Sequence, residues 1–140
     1  MKIAVLGLGS IGSLVAGMLS SLDSNEVFIH GRGEHIAEIA SSGLNIKGFQ
    51  TAFVSKERFT YSIDEAGFND SFDGQTDVVI ITCKSYDLVK LLPYAKRLIK
   101  SNSIVLCLSN GLGNCETISE EIGNHRTLAG TITHLSLIHI

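Results

Sequence analysis

Three glycines, Gly7, Gly9 and Gly12, have the spacing G-x-G-x-x-G and sit between the apolar run at residues 2–6 and an amphipathic run that begins at Ser10. In a strand–turn–helix, the first such glycine permits a sharp turn and the second lets backbone N–H groups approach a pyrophosphate. The third lets the helix pack close to the strand. The phosphate then rests against the positive end of the helix. Gly7, Leu8, Gly9, Ser10, Ile11 and Gly12 are therefore the first candidate cofactor-binding residues. The same spacing also occurs in chemically inert turns; the strand before it and the helix after it favour the phosphate reading here.

Other groups with chemical potential stand where strands should end. Arg32 lies twenty positions after Gly12, in His30-Gly31-Arg32-Gly33. At the end of the second strand of such a fold, a carboxylate accepts from a ribose 2′-hydroxyl, whereas an arginine suits a 2′-phosphate through its planar donor fork. The competing reading is a solvated turn arginine, and the nearby Glu34 reads as the start of the next helix. Lys84 follows the apolar run 77–83, placed either to meet a cofactor phosphate or to extend its head into solvent. Asn110, in Ser109-Asn110-Gly111-Leu112-Gly113-Asn114, offers an amide donor and a carbonyl acceptor, enough for a hydroxyl, a carboxylate or a ribose. It equally fits a turn residue before glycine. His134 falls near the same edge, as a site residue or a structural histidine.

The elements that must hold these groups alternate. The run 2–6 reads as a strand, and Ile11, Leu14, Val15, Met18, Leu19 and Leu22 form a helical stripe expected to cover the sheet. Residues 26–30 form a second strand, completing a βαβ unit. A short helix at 34–42 ends at Gly43, and residues 44–62 read as an inserted edge hairpin with strands at 44–46 and 51–54. Residues 64–76 read as a loop or frayed helix. The continuous apolar run 77–83 is a strand buried on both faces. Leu88, Leu91, Leu92, Ala95, Leu98 and Ile99 give a helix that Pro93 must kink or restart. A strand at 103–108, a helix at 115–122 and a last strand at 126–133 follow. The fold class is α/β, a Rossmann-like doubly wound, mostly parallel sheet with helices on both faces.

Bulk properties remove other classes. The 140 residues suit one domain, and 44% hydrophobic against 18% charged residues with a single proline describe a chain that folds. A net charge of −3 without a basic cluster excludes a nucleic-acid footprint. With neither a basic leader nor an apolar run of spanning length, the expectation is a cytoplasmic protein without a membrane partner. Cys83, Cys107 and Cys115 have no zinc or disulfide spacing, the histidines show no metal-binding pairs, and no G-x-S-x-G elbow marks a hydrolase.

Residues 2–12, Gly31-Arg32-Gly33-Glu34-His35 leading to Gly43-Leu44, Cys83-Lys84-Ser85, and Asn110-Gly111-Leu112-Gly113-Asn114 with Glu116 resemble the N-terminal domain of the ketopantoate reductase family. The resemblance runs to about His134, so that 1–134 is a Rossmann-type NADP-binding domain and 135–140 an abrupt tail. It implies NADPH-dependent reduction of a small 2-keto acid, 2-dehydropantoate, to pantoate, on the route to pantothenate and coenzyme A. Carried over by position, Gly7 to Gly12 hold the pyrophosphate, Arg32 and Lys84 the phosphorylated adenosine end, and Asn110 the cofactor ribose and the substrate. Ser136 matches a further cofactor contact. The family's catalytic lysine and a substrate-gripping carboxylate come from a helical C-terminal domain absent from this sequence. The expectation is a fragment that binds NADPH without turning over, with no catalytic residue of its own. An exposed apolar surface at 135–140 would be the docking face of that second domain and a source of self-association. The competing functions are another NADP-dependent 2-keto or 3-hydroxy acid dehydrogenase of the 6-phosphogluconate dehydrogenase-like group, and a non-catalytic nucleotide-sensing module.

Overall fold

A computed structural model describes residues 1–48, 51–63 and 71–132. Six strands, β1 (Lys2–Leu6), β2 (Glu26–Gly31), β5 (Phe59–Ile63), β6 (Thr76–Ile81), β7 (Ile99–Cys107) and β8 (Thr127–Ala129), form one sheet. Its order is β5-β2-β1-β6-β7-β8 and every pairing is parallel. In order along the chain these strands read 3-2-1-4-5-6, the doubly wound arrangement with its switch point between β1 and β6.

The period-2 alternation of the strands supplies two cores. Ala4, Leu6, Phe28, Val79 and Ile81 face α3 (Leu88–Leu98) and α4 (Asn114–Ile122), through Leu88, Leu91, Leu92, Ala95, Leu98 and Ile118. Ile3, Val5, Val27, Ile29 and Ile80 face α1 (Ser10–Ser20) and α2 (Gly33–Ser42), through Ala16, Ile36 and Ile39. Helices thus cover both faces, as the sequence predicts.

Three details depart from the sequence-based expectation. The fully buried face of α1 is the small-residue row Gly12, Ser13, Ala16, Gly17 and Ser20; of the predicted apolar stripe Val15 and Leu19 pack at the edge of the core, while Met18 and Leu22 are exposed. Small side chains win because they let the helix axis approach the sheet. They also leave room for a hairpin, β3 (Leu44–Ile46) with β4 (Ala52–Val54), whose Ile46 and Leu44 side chains reach the site of Gly17. That antiparallel hairpin is a two-stranded sheet of its own. Secondly, residues 59–63 are a strand of the main sheet, pairing parallel with β2. Thirdly, α3 is one continuous helix through Pro93, so the proline does not restart it. The ring's missing N–H deprives the Val89 carbonyl of its helical donor, and both residues are exposed, so water can serve that carbonyl.

The packing of α1 through its small residues has a measurable consequence. Ala16→Leu, which overpacks a fully buried position, is expected to destabilise the fold by about 1–3 kcal/mol. Met18→Ala is expected to change stability by less than about 0.5 kcal/mol. Chemical denaturation of the two variants checks this, and the opposite ranking would mean that Met18, not Ala16, faces the sheet.

Candidate functional site

Parallel strands all end on one edge, so the turns that follow β1, β6 and β7 gather there. They enclose a cavity of about 1230 Å³ bounded by Gly7 to Ile11, by Gly31 and Arg32 after β2, by Thr82 to Asp87 after β6, and by Leu108 to Asn110 after β7. A smaller hollow of about 420 Å³ lies at the opposite, N-terminal ends of the strands. There Asp77 pairs with Lys100 and accepts the Lys2 amide at 2.7 Å, which keeps its carboxyl below the usual range.

Each glycine of the first turn has a distinct geometry. Gly7 has φ +92°, and a Cβ there would lie 2.7 Å from the Cys83 amide nitrogen. A Cβ on Gly12 would stand 2.4 Å from the Gly7 carbonyl oxygen, so the helix can start only directly beneath the turn. Gly9 differs from both: its backbone is extended, and a Cβ would meet nothing within 4 Å. Gly9 therefore opens onto the cavity instead of packing. As the N-cap of α1 it brings no side-chain oxygen to the first amides, and no carboxylate stands in the first helical turn. The positive helix end is left for an external anion, which fits a pyrophosphate.

Three hydroxyls stitch the turns together. Thr82 Oγ1 donates to the Gly7 carbonyl at 2.6 Å, Ser109 Oγ to the Cys83 carbonyl at 2.6 Å, and Ser85 Oγ to the Asn110 carbonyl at 3.2 Å. Ser85 also accepts from the buried Asn114 amide at 3.0 Å. A Cβ on Gly111, whose φ is +141°, would lie 2.6 Å from Ser85 Oγ, so this glycine keeps the β7 turn against the β6 turn. These serines and the threonine carry no role in the sequence reading. Their signal was available: each is a hydroxyl at or within a few residues of the C-terminal end of a buried strand.

The predicted site residues largely converge. Gly7, Leu8, Gly9, Ser10, Ile11, Arg32, Lys84 and Asn110 all line the one cavity, while Gly12 lies under the turn and shapes it from below. Arg32 extends from the N-cap position of α2 and pairs with Asp87 at 2.8 Å. Lys90 approaches the same carboxylate oxygen at 3.2 Å. The two cations, Arg32 foremost, hold the Asp87 carboxyl below its ordinary range. Behind them His30 is buried, hydrogen-bonded to Ser62 at 2.9 Å, with its ring 4.4 Å from that of Tyr94. Cys83 is half-buried on the wall, and burial pushes its thiol up, so it is no ready nucleophile. Ser136, His134 and the tail 135–140 lie outside the described residues. Among the described residues no cluster has the makings of a metal site, and no helix is long and apolar enough to cross a membrane.

Comparison with known proteins agrees with this geometry. The family described as ketopantoate reductase PanE/ApbA matches residues 3–137. A 2-dehydropantoate 2-reductase of Pyrococcus horikoshii is 38% identical over 134 residues, covering 96% of this chain and 40% of that protein. A solved complex of D-mandelate dehydrogenase with NADH and anilino(oxo)acetate superposes with a TM-score of 0.76 at 28% identity, over 94% of this chain and 40% of the other. The 2-dehydropantoate 2-reductase of Porphyromonas gingivalis W83 gives 0.75 at 25% identity, over 94% and 46%. The chain thus spans about 40% of the length of the curated relatives it matches. With the glycine turn, the switch-point cavity and the asparagine loop all in place, the chain belongs to the ketopantoate reductase family.

Proposed function

We propose that this chain is the dinucleotide-holding part of an NADPH-dependent 2-dehydropantoate reductase acting in the cytoplasm. The observation that carries the reading is the convergence, on one cavity at the sheet's switch point, of an open glycine cradle, Arg32 and Lys84. The amides at the start of α1 take the pyrophosphate, and Gly9 admits it because no side chain intrudes. Arg32, at the end of β2, takes the 2′-phosphate with Lys84 close by. Asn110 holds the cofactor ribose and the substrate, on a loop fixed by Ser85, Gly111 and Asn114.

The bound dinucleotide supplies a hydride for a keto carbon. This chain's residues bind and orient: the three hydroxyl bonds keep the turns in register, and Leu8, Leu91, Leu108 and Tyr94 narrow the water-accessible space around the cavity. Reduction of a ketone also needs a proton for the developing alkoxide. Arg32 and Lys90 are engaged with Asp87, and Lys84 is assigned to phosphate. The proton donor is therefore proposed to be the lysine that the family carries in its helical C-terminal domain, in the part of the relatives that these residues do not span.

Calorimetric titration tests the reading. NADPH should bind more tightly than NADH, and Arg32→Ala should weaken NADPH by about tenfold or more while changing NADH little. Equal losses for both would make Arg32 a surface residue. Gly9→Val should fold with near-normal stability, since its side chain meets open space, yet lose NADPH binding. Retention of wild-type affinity would move the pyrophosphate elsewhere. The 140-residue chain should show no ketopantoate-dependent oxidation of NADPH at 340 nm, and measurable turnover would place a proton donor within it.

A further inference from the structure

Asp87 occupies an unusual position for an aspartate. It is the N-cap residue of α3, where its carboxylate would ordinarily accept from the first helical amides, but it makes no side-chain cap bond. The carboxylate instead turns to Arg32 Nη2 at 2.8 Å and Lys90 Nζ at 3.2 Å, and its side chain is only 17% exposed against 57% for Arg32. Arg32 follows β2 and Asp87 follows β6, and these strands flank β1 on its two sides. The ion pair therefore reaches across the end of β1, along the rim of the cavity whose floor is the glycine turn.

A guanidinium already holding a carboxylate is not equivalent to a free one. An incoming 2′-phosphate must either displace Asp87 or share Arg32 with it, with two anions then close together. A ribose 2′-hydroxyl carries no charge and faces no such competition. Resting on the assignment of Arg32 to the 2′-phosphate, we propose that Asp87 is a specificity-determining residue: an internal anion that competes for Arg32 and so narrows the protein's preference for NADPH over NADH. The residue acts through Arg32 and is a positioning residue, not a catalytic one. Lys90, on the first turn of α3, shares the same carboxylate oxygen at 3.2 Å.

The test is the ratio of NADH to NADPH dissociation constants, measured by calorimetry on the whole chain. Asp87→Asn keeps size and capping ability while removing the charge. Asp87→Ser, another good N-cap residue, gives a second neutral variant should the asparagine disturb folding. Either should raise the ratio about two- to fivefold, the range expected for removing a partly exposed ion pair. Asp87→Glu, which keeps the charge, should stay near the wild-type ratio, and neither neutral variant should raise it in an Arg32→Ala background. A merely structural aspartate would shift both cofactors together. If Arg32→Ala collapses the ratio but the neutral variants leave it unchanged or lower it, the competition is refuted and the Arg32 assignment stands. If Arg32→Ala leaves the ratio untouched, or neither cofactor binds, the assignment itself fails and the inference falls with it.

Discussion

The site depends on a constraint that parallel sheets impose. Every strand delivers its following turn to the same edge, and each turn brings carbonyl oxygens that have left the sheet ladder and still need donors. Here three of those carbonyls, on Gly7, Cys83 and Asn110, are met by Thr82, Ser109 and Ser85 hydroxyls from neighbouring turns. The bonds run sideways, from one βα turn to the next. The turns cannot drift independently, and the cavity between them is held by groups that spend no side-chain length doing so. The close approach at Gly7, where any Cβ would collide with the Cys83 backbone, belongs to the same design.

Electrostatics then sorts the cavity into regions. The start of α1 offers amides with no protein acceptor from a capping side chain, whereas the rim carries Arg32, Lys84 and Lys90 against one carboxylate, Asp87. The floor suits a group buried in backbone amides, and the rim suits a charge that remains partly in water. Within the Arg32–Asp87 pair the guanidinium is exposed, and the pair's strength is correspondingly modest. A weak pair is suited to exchange, since a strong buried one would hold the arginine away from any ligand.

Much of this was legible in the sequence because it depends on local signals. The glycine spacing, the buried runs at 2–6, 26–30 and 77–81 and the polar turns after them identify the fold and many of the residues that line the cavity. Two misreadings have a common cause in non-local packing. Phe59–Ile63 is an edge strand with Tyr61 exposed, so its alternation is that of a hairpin strand, and nothing local states that its partner is β2 across a helix. The stripe on α1 is only partly right, with Val15 and Leu19 against the core and Met18 and Leu22 in solvent, because Gly12, Ala16 and Gly17 have little hydrophobicity to register, yet only small residues fit beneath the hairpin and against the turn. Asp87 was overlooked for a related reason: its decisive partner is fifty-five positions earlier, at Arg32, on the far side of β1.

Tyr94 has a use beyond packing against His30. The chain contains no tryptophan and only three tyrosines, and two of them, Tyr86 and Tyr94, stand on the cavity wall. Two of the protein's three phenols, and no indole, therefore stand on the wall of the cavity at the sheet's switch point. Reduced nicotinamide absorbs in the range where tyrosine emits, so a dinucleotide held in that cavity would quench the protein's own fluorescence by energy transfer, without a label.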